Sequence, residues 1–554
     1  MKPTSILLCL VALAPAVFAQ DQTAVCHTAS ATKAASAPAR LFDGAGRVHL
    51  PVTTRSAEAQ QFFDQGLALL HSFWSYEADR SFEKAARLDP ECAMAQWGIA
   101  MAAVNDARRD AAIKRAKELA PRATERERLY IAAVEARYQG TRETVQNNGF
   151  LGASDDYRRA LRRLVAAFPD DLEAKLFLAL ASLSGYERDG APRPGTVEAI
   201  SLCQLVLAKE PLHLGGHHYL IHAFEAGRRP QDGVPHADIY PSLAPRVGHA
   251  VHMPGHIYVH VDRWEDAARA FEASAEVDRE YLRAERETSD HAAGPYGHNV
   301  HFLAMVYGYQ GRYRDALRVS RGLLDLAAQP GEGKSRAGLE GRFAMLRTLA
   351  RFERWDELLD GKTLPDAGPF EVFGAWRLYA RGLALAAKGD AAGGRAAQLA
   401  LEKETAWLKE KLAKEKDAPQ LGRQRQQLGA LTVAPLELQA RLLAREGKAD
   451  EAIAKLREAI EAETKLGYSE PPFYPVPTEE IAGKVCLELK RWAEAEEFFR
   501  AAAERDPGSG RALLGLTQAQ RGAGKEAEAS ETYARFVKAW ARADADLPAV
   551  SARE

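Results

Sequence analysis

The chain has 554 residues, and its 74 basic and 76 acidic side chains give a formal net charge of −2 at pH 7. This balance argues against a basic surface for nucleic acid or for an anionic membrane, so we expect neither partner. A chain of this length ordinarily divides into several domains. A solenoid of repeats need not divide, because each repeat contacts only its neighbours.

The N-terminus has the pattern of a secretory signal peptide. Lys2 supplies a positive charge, Ile6 to Ala14 form a short apolar run, and the small residues Val17 and Ala19 predict cleavage after Ala19. The run is too short to span a bilayer, and no later segment reaches the ~20 apolar residues that a spanning helix needs. We therefore expect a periplasmic or secreted protein without membrane insertion after cleavage.

From about residue 57 to residue 543, the sequence repeats the pattern of a helix pair. In the first copy Gly66 lies in one helix, Ala78 and Phe82 lie in the next, and Pro90 follows. Small residues allow two helices to approach, an aromatic ring fills the space between them, and proline ends the second helix. Further copies carry a glycine and an aromatic residue at the same spacing: Gly255 with Phe271, and Gly483 with Phe499.

These spacings resemble the tetratricopeptide repeat (TPR), a helix pair of 34 residues. The resemblance implies an all-α fold, a right-handed superhelical solenoid of helix-turn-helix repeats. Together with the N-terminal pattern it predicts six segments. They are a signal peptide (1–19), a disordered segment rich in Ala, Thr and Ser (20–56), N-terminal TPR-like repeats (57–212), histidine-rich central repeats (213–330), degenerate helical repeats (331–430) and C-terminal repeats (431–543).

Histidine is concentrated in the central repeats. Twelve of the fifteen histidines fall between His213 and His301, and imidazole is the commonest protein ligand for transition metals. His218 and His222 are four residues apart and share a helix face, which Glu225 extends by one turn. An i,i+4 pair of this kind can hold one metal ion between its two side chains.

A second row contains His249, His252, His256 and His260, which fall within an arc of roughly 80° on a helical wheel. Pro254 interrupts this row, so the helix either kinks or begins there. The row is roughly 16 Å long at 1.5 Å per residue, so one ion cannot contact all four side chains. The pattern therefore indicates two metal sites, or one site with bystanders.

In the register of the TPR resemblance, histidines from three neighbouring helices occupy positions that line the concave groove of such repeats. The resemblance thus implies one shared surface for the candidate ligands. The predicted metal ligands are His218, His222, Glu225, His249, His252, His256, His298 and His301. Glu225 is also a candidate general base, or a plain surface residue. We expect His71 to be ordinary and His217 to belong to the core or to support a ligand.

Four segments extend the resemblance. They are residues 89–98, 217–225, 249–258 and 298–303. They are similar to the corresponding parts of a bacterial subgroup of exported TPR proteins with histidine-rich central repeats. This similarity supports the architecture and leaves the chemistry open.

Three functions are compatible with these patterns. The first is an exported binding protein whose groove holds transition-metal ions, either zinc or copper, or iron if Glu225 is a ligand. The second is a metalloenzyme, hydrolytic or oxidative, that uses the same His/Glu cluster with an open coordination position. The third is a metal-free scaffold that holds a peptide or protein partner in its groove. Neutral imidazoles weaken the third function, because a peptide groove is expected to carry more Asn, Lys and Arg.

Overall fold

The computed structural model describes residues 39–547, except 104, 139–152, 188–189, 286–289, 328–335, 369, 415–420, 467–468, 470 and 545. The predicted signal peptide lies outside the described residues. Within them the regular structure is helical, apart from one isolated β-bridge between Tyr186 and Pro192. The predicted all-α solenoid of helix pairs is confirmed. None of the described helices combines the length and the apolar character that crossing a membrane requires.

The helices follow one another along the chain, and most consecutive helices pack together. Those before and at the start of the histidine-rich repeats are α1 (Ala57–His71), α2 (Ser75–Leu88), α3 (Ala93–Ala102), α4 (Asp106–Leu119), α5 (Glu125–Tyr138), α6 (Asp155–Ala167), α7 (Leu172–Ser182), α8 (Pro194–Lys209), α9 (Leu214–Glu225) and α10 (Val234–Leu243). Short 3₁₀ turns lie at Ala120–Arg122 and Pro230–Gly233.

The remaining helices complete the central repeats and form the C-terminal ones. They are α11 (Gly248–His260), α12 (Trp264–Glu285), α13 (Asp290–Tyr309), α14 (Tyr313–Ala327), α15 (Arg336–Arg351), α16 (Trp355–Leu359), α17 (Glu371–Ala387), α18 (Ala391–Lys414), α19 (Leu421–Ala430), α20 (Ala434–Arg445), α21 (Ala449–Thr464), α22 (Thr478–Glu488), α23 (Trp492–Arg505), α24 (Gly510–Gly522) and α25 (Glu526–Ala539).

Several helices begin where a short polar side chain accepts a hydrogen bond from the backbone N–H three residues later, which satisfies a donor that the first turn leaves unpaired. The residues that do so include Ser56, Asn105, Ser154, Asp171 and Ser509. Such N-caps fix where these helices start, and therefore the phase of the repeats that follow.

The glycine–phenylalanine pattern reflects close packing between helices. A Cβ atom on Gly66 or Gly98 would lie 2.8 or 2.3 Å from the ring of Phe82. The same arrangement recurs where Gly255 faces Phe271, at 2.3 Å from the added atom to the ring. Each ring thus occupies space that only glycine leaves open, and this explains why the spacing marks the repeats.

Pro254 lies inside α11, which runs without interruption from Gly248 to His260. Of the two alternatives that the sequence leaves open, the helix therefore continues through the proline. Proline has no N–H, so the carbonyl of Ala250 receives no helical hydrogen bond from it. As a result His249 and His252 keep helical positions, and all of the row lies on one element.

The prediction that residues 20–56 are disordered is wrong for residues 39–56, the part of that segment which the structure describes. Val48 and Leu50 are buried, and the backbone N–H of Phe42 donates to Gln65 Oε1 at 3.0 Å. Side chains of α1 therefore satisfy backbone groups of this segment, which needs no helix or strand of its own to be ordered. The small, polar composition that suggests disorder belongs mainly to residues 20–38, which lie outside the described residues.

Residues far apart in sequence close the solenoid around its central repeats. On the C-terminal side, the indole N–H of Trp540 donates to the carbonyl of Tyr309 at 2.8 Å. On the N-terminal side, the ring of Trp74 packs edge-on against Tyr281, with centroids 4.6 Å apart. The histidine-rich helices are therefore enclosed rather than spread along an open groove.

Candidate metal centre

The first of two histidine triads joins α9 to α11. His218 and His222 lie one turn apart on α9, and His249 comes from α11. His218 Nε2 is 3.1 Å from Nε2 of His222 and 3.1 Å from Nε2 of His249. These three residues offer ligand atoms that all lie within 4.8 Å of one another. We call them triad 1.

Triad 2 joins α11 to α13. His252 and His256 lie one turn apart on α11, with their Nε2 atoms 2.6 Å apart. His298 of α13 completes the group, and the three ligand atoms again lie within 4.8 Å of one another. The rings of His249 and His252 stack with centroids 6.0 Å apart, so the two triads are adjacent.

The outer nitrogen, Nδ1, of four of these histidines lies within 3.2 Å of an oxygen atom of a neighbouring group. His218 Nδ1 donates to the backbone carbonyl of His71 at 2.5 Å. His222 Nδ1 donates to Glu225 Oε1 at 2.8 Å, and His256 Nδ1 lies 3.2 Å from Glu225 Oε2. His252 Nδ1 lies 3.0 Å from Asn299 Oδ1.

Asn299 is itself oriented by a chain of hydrogen bonds. Its amide N–H donates to Ser274 Oγ at 2.8 Å, and Ser274 donates to the carbonyl of Gly248 at 2.7 Å. The asparagine oxygen therefore faces His252 and accepts from its Nδ1. Outer contacts of this kind fix which nitrogen carries the proton and direct the Nε2 lone pair inward.

Lone pairs on unprotonated nitrogens repel each other at the distances seen within each triad. A proton or a metal cation between them removes the repulsion. A proton is disfavoured, because burial and the neighbouring histidines hold the pKa of His218 and of His252 well below the ordinary value. Each triad therefore has three imidazole nitrogens close enough together to hold one metal cation.

Glu225 lies on the outer side of both triads. Burial raises the pKa of this carboxyl, but the charges and hydrogen bonds of His222 and His256 outweigh burial and leave the pKa well below its ordinary value. The carboxylate is thus ionised at neutral pH. The sequence suggests a ligand or a general base, whereas the carboxylate lies beside the Nδ1 atoms of two predicted ligands, one from each triad.

His301, predicted as a ligand, belongs to neither triad. Its Nδ1 donates to Glu340 Oε2 at 2.8 Å, and its Nε2 lies 3.5 Å from Nε of Arg347. Both ring nitrogens are therefore occupied by groups from α15. His217 also lies outside the triads, because its Nε2 donates to the carbonyl of Pro211 at 2.9 Å and its Nδ1 is 3.0 Å from His236 Nδ1.

His71, which we expected to be ordinary, belongs to a buried network behind triad 1. Its Nε2 is 2.5 Å from Glu173 Oε2, its Nδ1 is 2.7 Å from Tyr219 Oη, and His213 Nε2 is 3.0 Å from Glu173 Oε1. The network fixes His71, whose backbone carbonyl contacts His218 Nδ1. No spacing in the sequence could reveal it, because its members lie on three separate parts of the chain: the end of α1, the start of α7, and α9 with the residue before it.

Phe73 was also missed, and it covers triad 1. Its ring centroid is 4.4 Å from that of His218, 5.3 Å from His222 and 5.6 Å from His249. The residue lies in the turn between α1 and α2 with a φ of 55°, a conformation that favours glycine. The ring thus excludes water from one side of triad 1 at some cost in backbone strain.

Both triads border one small, partly enclosed cleft of about 40 Å³. Its lining consists of Phe73, Trp74, Gly248, His249, His252, Ser274, Asp278, Pro295, His298, Asn299 and Arg336. Triad 1 contributes one of these histidines and triad 2 contributes two. Burial raises the pKa of Asp278 to about 7. The cleft therefore gives both triads access to a ligand from the same side.

No family model and no curated protein sequence matches the chain. Among solved structures, the P58(IPK) TPR domain is 14% identical and covers 85% of this chain and 99% of its own, with a TM-score of 0.23. Yeast Tom70 is 12% identical, covers 89% and 96%, and has a TM-score of 0.29. A human IFIT1 dimer with m7Gppp-AAAA is 13% identical, covers 88% and 91%, and has a TM-score of 0.33. TM-scores this low carry no inference about what this chain binds.

Proposed function

We propose that this protein binds two transition-metal ions, one in each histidine triad. The observation that carries the proposal is the convergence of three imidazoles at each triad, with four of the six outer nitrogens within 3.2 Å of an oxygen atom. This is the usual construction of a histidine metal site, in which an outer partner fixes the tautomer and the orientation of each ligand.

Zinc or copper fits these triads best. Imidazole suits both ions, and neither triad includes a carboxylate or a thiolate. Iron would be favoured if Glu225 were a ligand. This carboxylate instead contacts the outer nitrogens of His222 and His256, so the argument for iron does not apply. Three protein ligands leave a fourth position of a tetrahedral ion for water or another ligand.

A metal-free scaffold explains the triads less well. A peptide partner needs surface that it can reach, yet His218 is fully buried and His252 and His256 are 2% and 3% exposed. In a polar groove the histidines would also be solvated. They would not need the carbonyl, carboxylate and amide oxygens that here contact their outer nitrogens. The buried geometry favours an ion as the occupant.

The test is metal content by mass spectrometry, on untagged protein purified after export. We expect about two equivalents of zinc or copper in the wild type, one in His218→Ala, one in His298→Ala, and none in the double variant. His301→Ala is the matched control and keeps both ions, because His301 belongs to neither triad. Absence of metal from the wild type, together with failure to load either ion into chelator-treated protein, would contradict the proposal.

A second candidate function is a metalloenzyme, and the shared cleft favours it. His249, His252 and His298 line the cleft, so an open coordination position at either ion faces a space that water, the nucleophile of a hydrolytic metal site, can enter. The same His218→Ala and His298→Ala variants test this candidate, with metal-dependent turnover of an ester probe measured in place of metal content.

A further inference from the structure

The cleft beside the triads is too small to pass a hydrated metal ion. Its volume of about 40 Å³ has room for about three water molecules, whereas a transition-metal ion takes a shell of at least about four ligands. His252 and His298, which line the cleft, are 2% and 5% exposed. An ion therefore reaches the triads through this cleft only when one of its walls moves away.

The walls of the cleft differ in how they are held. Four helices line it, and they pack on one another in sequence, α11 on α12, α12 on α13 and α13 on α15. The turn between α1 and α2 brings Phe73 and Trp74 to the same lining from a distant part of the chain. The turn is therefore the wall that can move without separating packed helices.

Phe73 differs from the residues at the equivalent place in other helix pairs. Seven other turns between paired helices have a positive φ at this place, between 56° and 87°, and hold either glycine or a charged residue. They are at Asp262, Gly311, Glu353, Gly389, Gly447, Lys490 and Gly524. Phe73 is 9% exposed, and its ring lies against the three imidazoles of triad 1. The turn thus places a bulky side chain where glycine is favoured, and that side chain covers the triad.

Side chains of α12 hold this turn over the cleft. The ring of Tyr281 packs against Trp74, and its hydroxyl donates to Glu77. Arg80 pairs with Glu77 and also lies 3.4 Å from Glu285 Oε2. We call these five residues, Trp74, Glu77, Arg80, Tyr281 and Glu285, the latch. Tyr281 takes part in both the ring contact and the polar contacts, so the latch depends on it most.

We propose that the α1–α2 turn is a gate over the triads, and that release of the latch is the step by which transition-metal ions enter and leave. With the latch formed, Phe73 and Trp74 exclude water from the imidazoles. Its release moves the turn away from α12 and exposes His249, which belongs to triad 1 and also lines the cleft. This inference rests on the proposed function for the nature of the ion, whereas the opening is a property of the protein alone.

The gate is tested first without metal, on the chelator-treated full chain. Diethyl pyrocarbonate modifies accessible, unprotonated imidazoles, and mass spectrometry of peptides gives the rate at each histidine. We expect Tyr281→Ala to raise the rate at His249 about tenfold, because it removes an aromatic contact and a hydrogen bond from the closed state. Leu282→Ala is the matched control, since Leu282 is also half-buried but points about 100° away on the same helix.

Two other histidines serve as references within the same molecule. His49 has an exposed side chain and His301 is buried, and neither lines the cleft. Both should react at the wild-type rate in Tyr281→Ala, because the opening is local. A parallel rise at His301 would mean that the substitution loosens the whole fold, and it would overturn the gate.

The second measurement is the rate of zinc release. Zinc-loaded protein is mixed with an excess of a coloured chelator, and the transfer is followed by stopped flow. Tyr281→Ala should bind as many zinc ions as the wild type, because no latch residue belongs to a triad, and should release them about tenfold faster. Leu282→Ala should match the wild type in both respects.

The outcomes separate this inference from the proposed function. Zinc binding with an unchanged release rate in Tyr281→Ala, or with an unchanged rate of modification at His249, overturns the gate and leaves the metal sites standing. Faster modification confined to His249, in a protein that takes up neither zinc nor copper, supports the opening as the route into the triads and overturns the metal sites. Unchanged modification in a protein that takes up no metal overturns both.

Discussion

Glu225 contacts the outer nitrogens of two histidines that belong to different triads. Its Oε1 accepts from His222 of triad 1, and its Oε2 lies beside Nδ1 of His256 of triad 2. A carboxylate accepts at both oxygens, so a single side chain can orient both imidazoles. Both contacts also make the imidazoles more basic toward a metal.

Glu225→Gln should therefore weaken both metal sites together. An amide keeps one acceptor oxygen and turns a donor toward the other histidine, whose N–H has nothing to accept it. We expect affinity at each triad to fall by about tenfold to a hundredfold, as measured by competition with a coloured chelator. Glu276→Gln, an exposed position on α12, is the control. Loss of one ion with the other unaffected would instead indicate that Glu225 is a direct ligand.

For single residues, the sequence predicts which histidines lie close together better than it predicts what each histidine does. His218 with His222, and His252 with His256, are each four residues apart, and helical geometry alone brings them together. His301 satisfies a similar spacing rule with His298, yet Glu340 and Arg347 occupy both its nitrogens. Those partners come from another helix, α15. Local spacing therefore cannot tell such a residue from a ligand.

Among the elements, α11 contributes most to the candidate site. It supplies His249 to triad 1 and both His252 and His256 to triad 2. The sequence indicates this row through its periodicity, and it leaves open whether Pro254 begins the helix or lies within it. Neighbouring helices decide that question, because packing on both sides of α11 stabilises the helix despite the missing hydrogen bond.

The sequence does not predict where the turn between α1 and α2 packs in the folded protein. Glu173 of α7 holds His71 at the end of α1 and His213 before α9. Burial raises the pKa of Glu173, but the charges and hydrogen bonds of the two histidines outweigh it and lower the pKa to about 2. The carboxylate therefore stabilises the docking of this turn in its ionised form.

The sign of the pH effect follows from that lowered pKa. The stabilisation is fully present above the ordinary pKa of 4.5 and is lost as the pH falls toward about 2. At neutral pH it amounts to about 3 kcal/mol, so Glu173→Gln should lower the free energy of unfolding by that order. The measurement is urea unfolding of chelator-treated protein from pH 7 to pH 3.

The difference between this variant and the wild type should shrink as the pH drops below 4.5. Asp170→Asn, an exposed carboxylate just before α7, serves as the control and should show little change at any pH. A difference that stays constant down to pH 3 would mean that packing, and not the charge of Glu173, stabilises the turn.

Over the whole molecule, the C-terminal repeats pack back onto the central ones. Trp540 is 3% exposed and contacts Gly311, where an added Cβ would lie 2.8 Å from the indole. Trp264 makes a similar contact, since its indole N–H donates to the carbonyl of Pro507. The sequence predicts the helix pairs of both regions, but their contact depends on the summed rotation of many repeats, which no local pattern encodes.

Trp540→Ala should loosen this closure. Removing a buried tryptophan costs about 3–5 kcal/mol, and the loss should appear as a lower midpoint of thermal unfolding. Val537→Ala, in the last turn of α25 just before Trp540, is the control, because Val537 is 40% exposed. Equal midpoints for the two variants would show that the C-terminal repeats stabilise the chain without this contact.

The sharing of α11 and Glu225 between the triads has a thermodynamic consequence. On the proposed function, an ion at triad 1 fixes the ring of His222, and with it the carboxylate that lies beside His256 in triad 2. Occupancy of one triad therefore alters the free energy of filling the other. Linkage requires that this coupling be reciprocal, so each ion changes the affinity for its neighbour by the same factor. The two triads should therefore bind metal cooperatively or anticooperatively, and not as two independent sites.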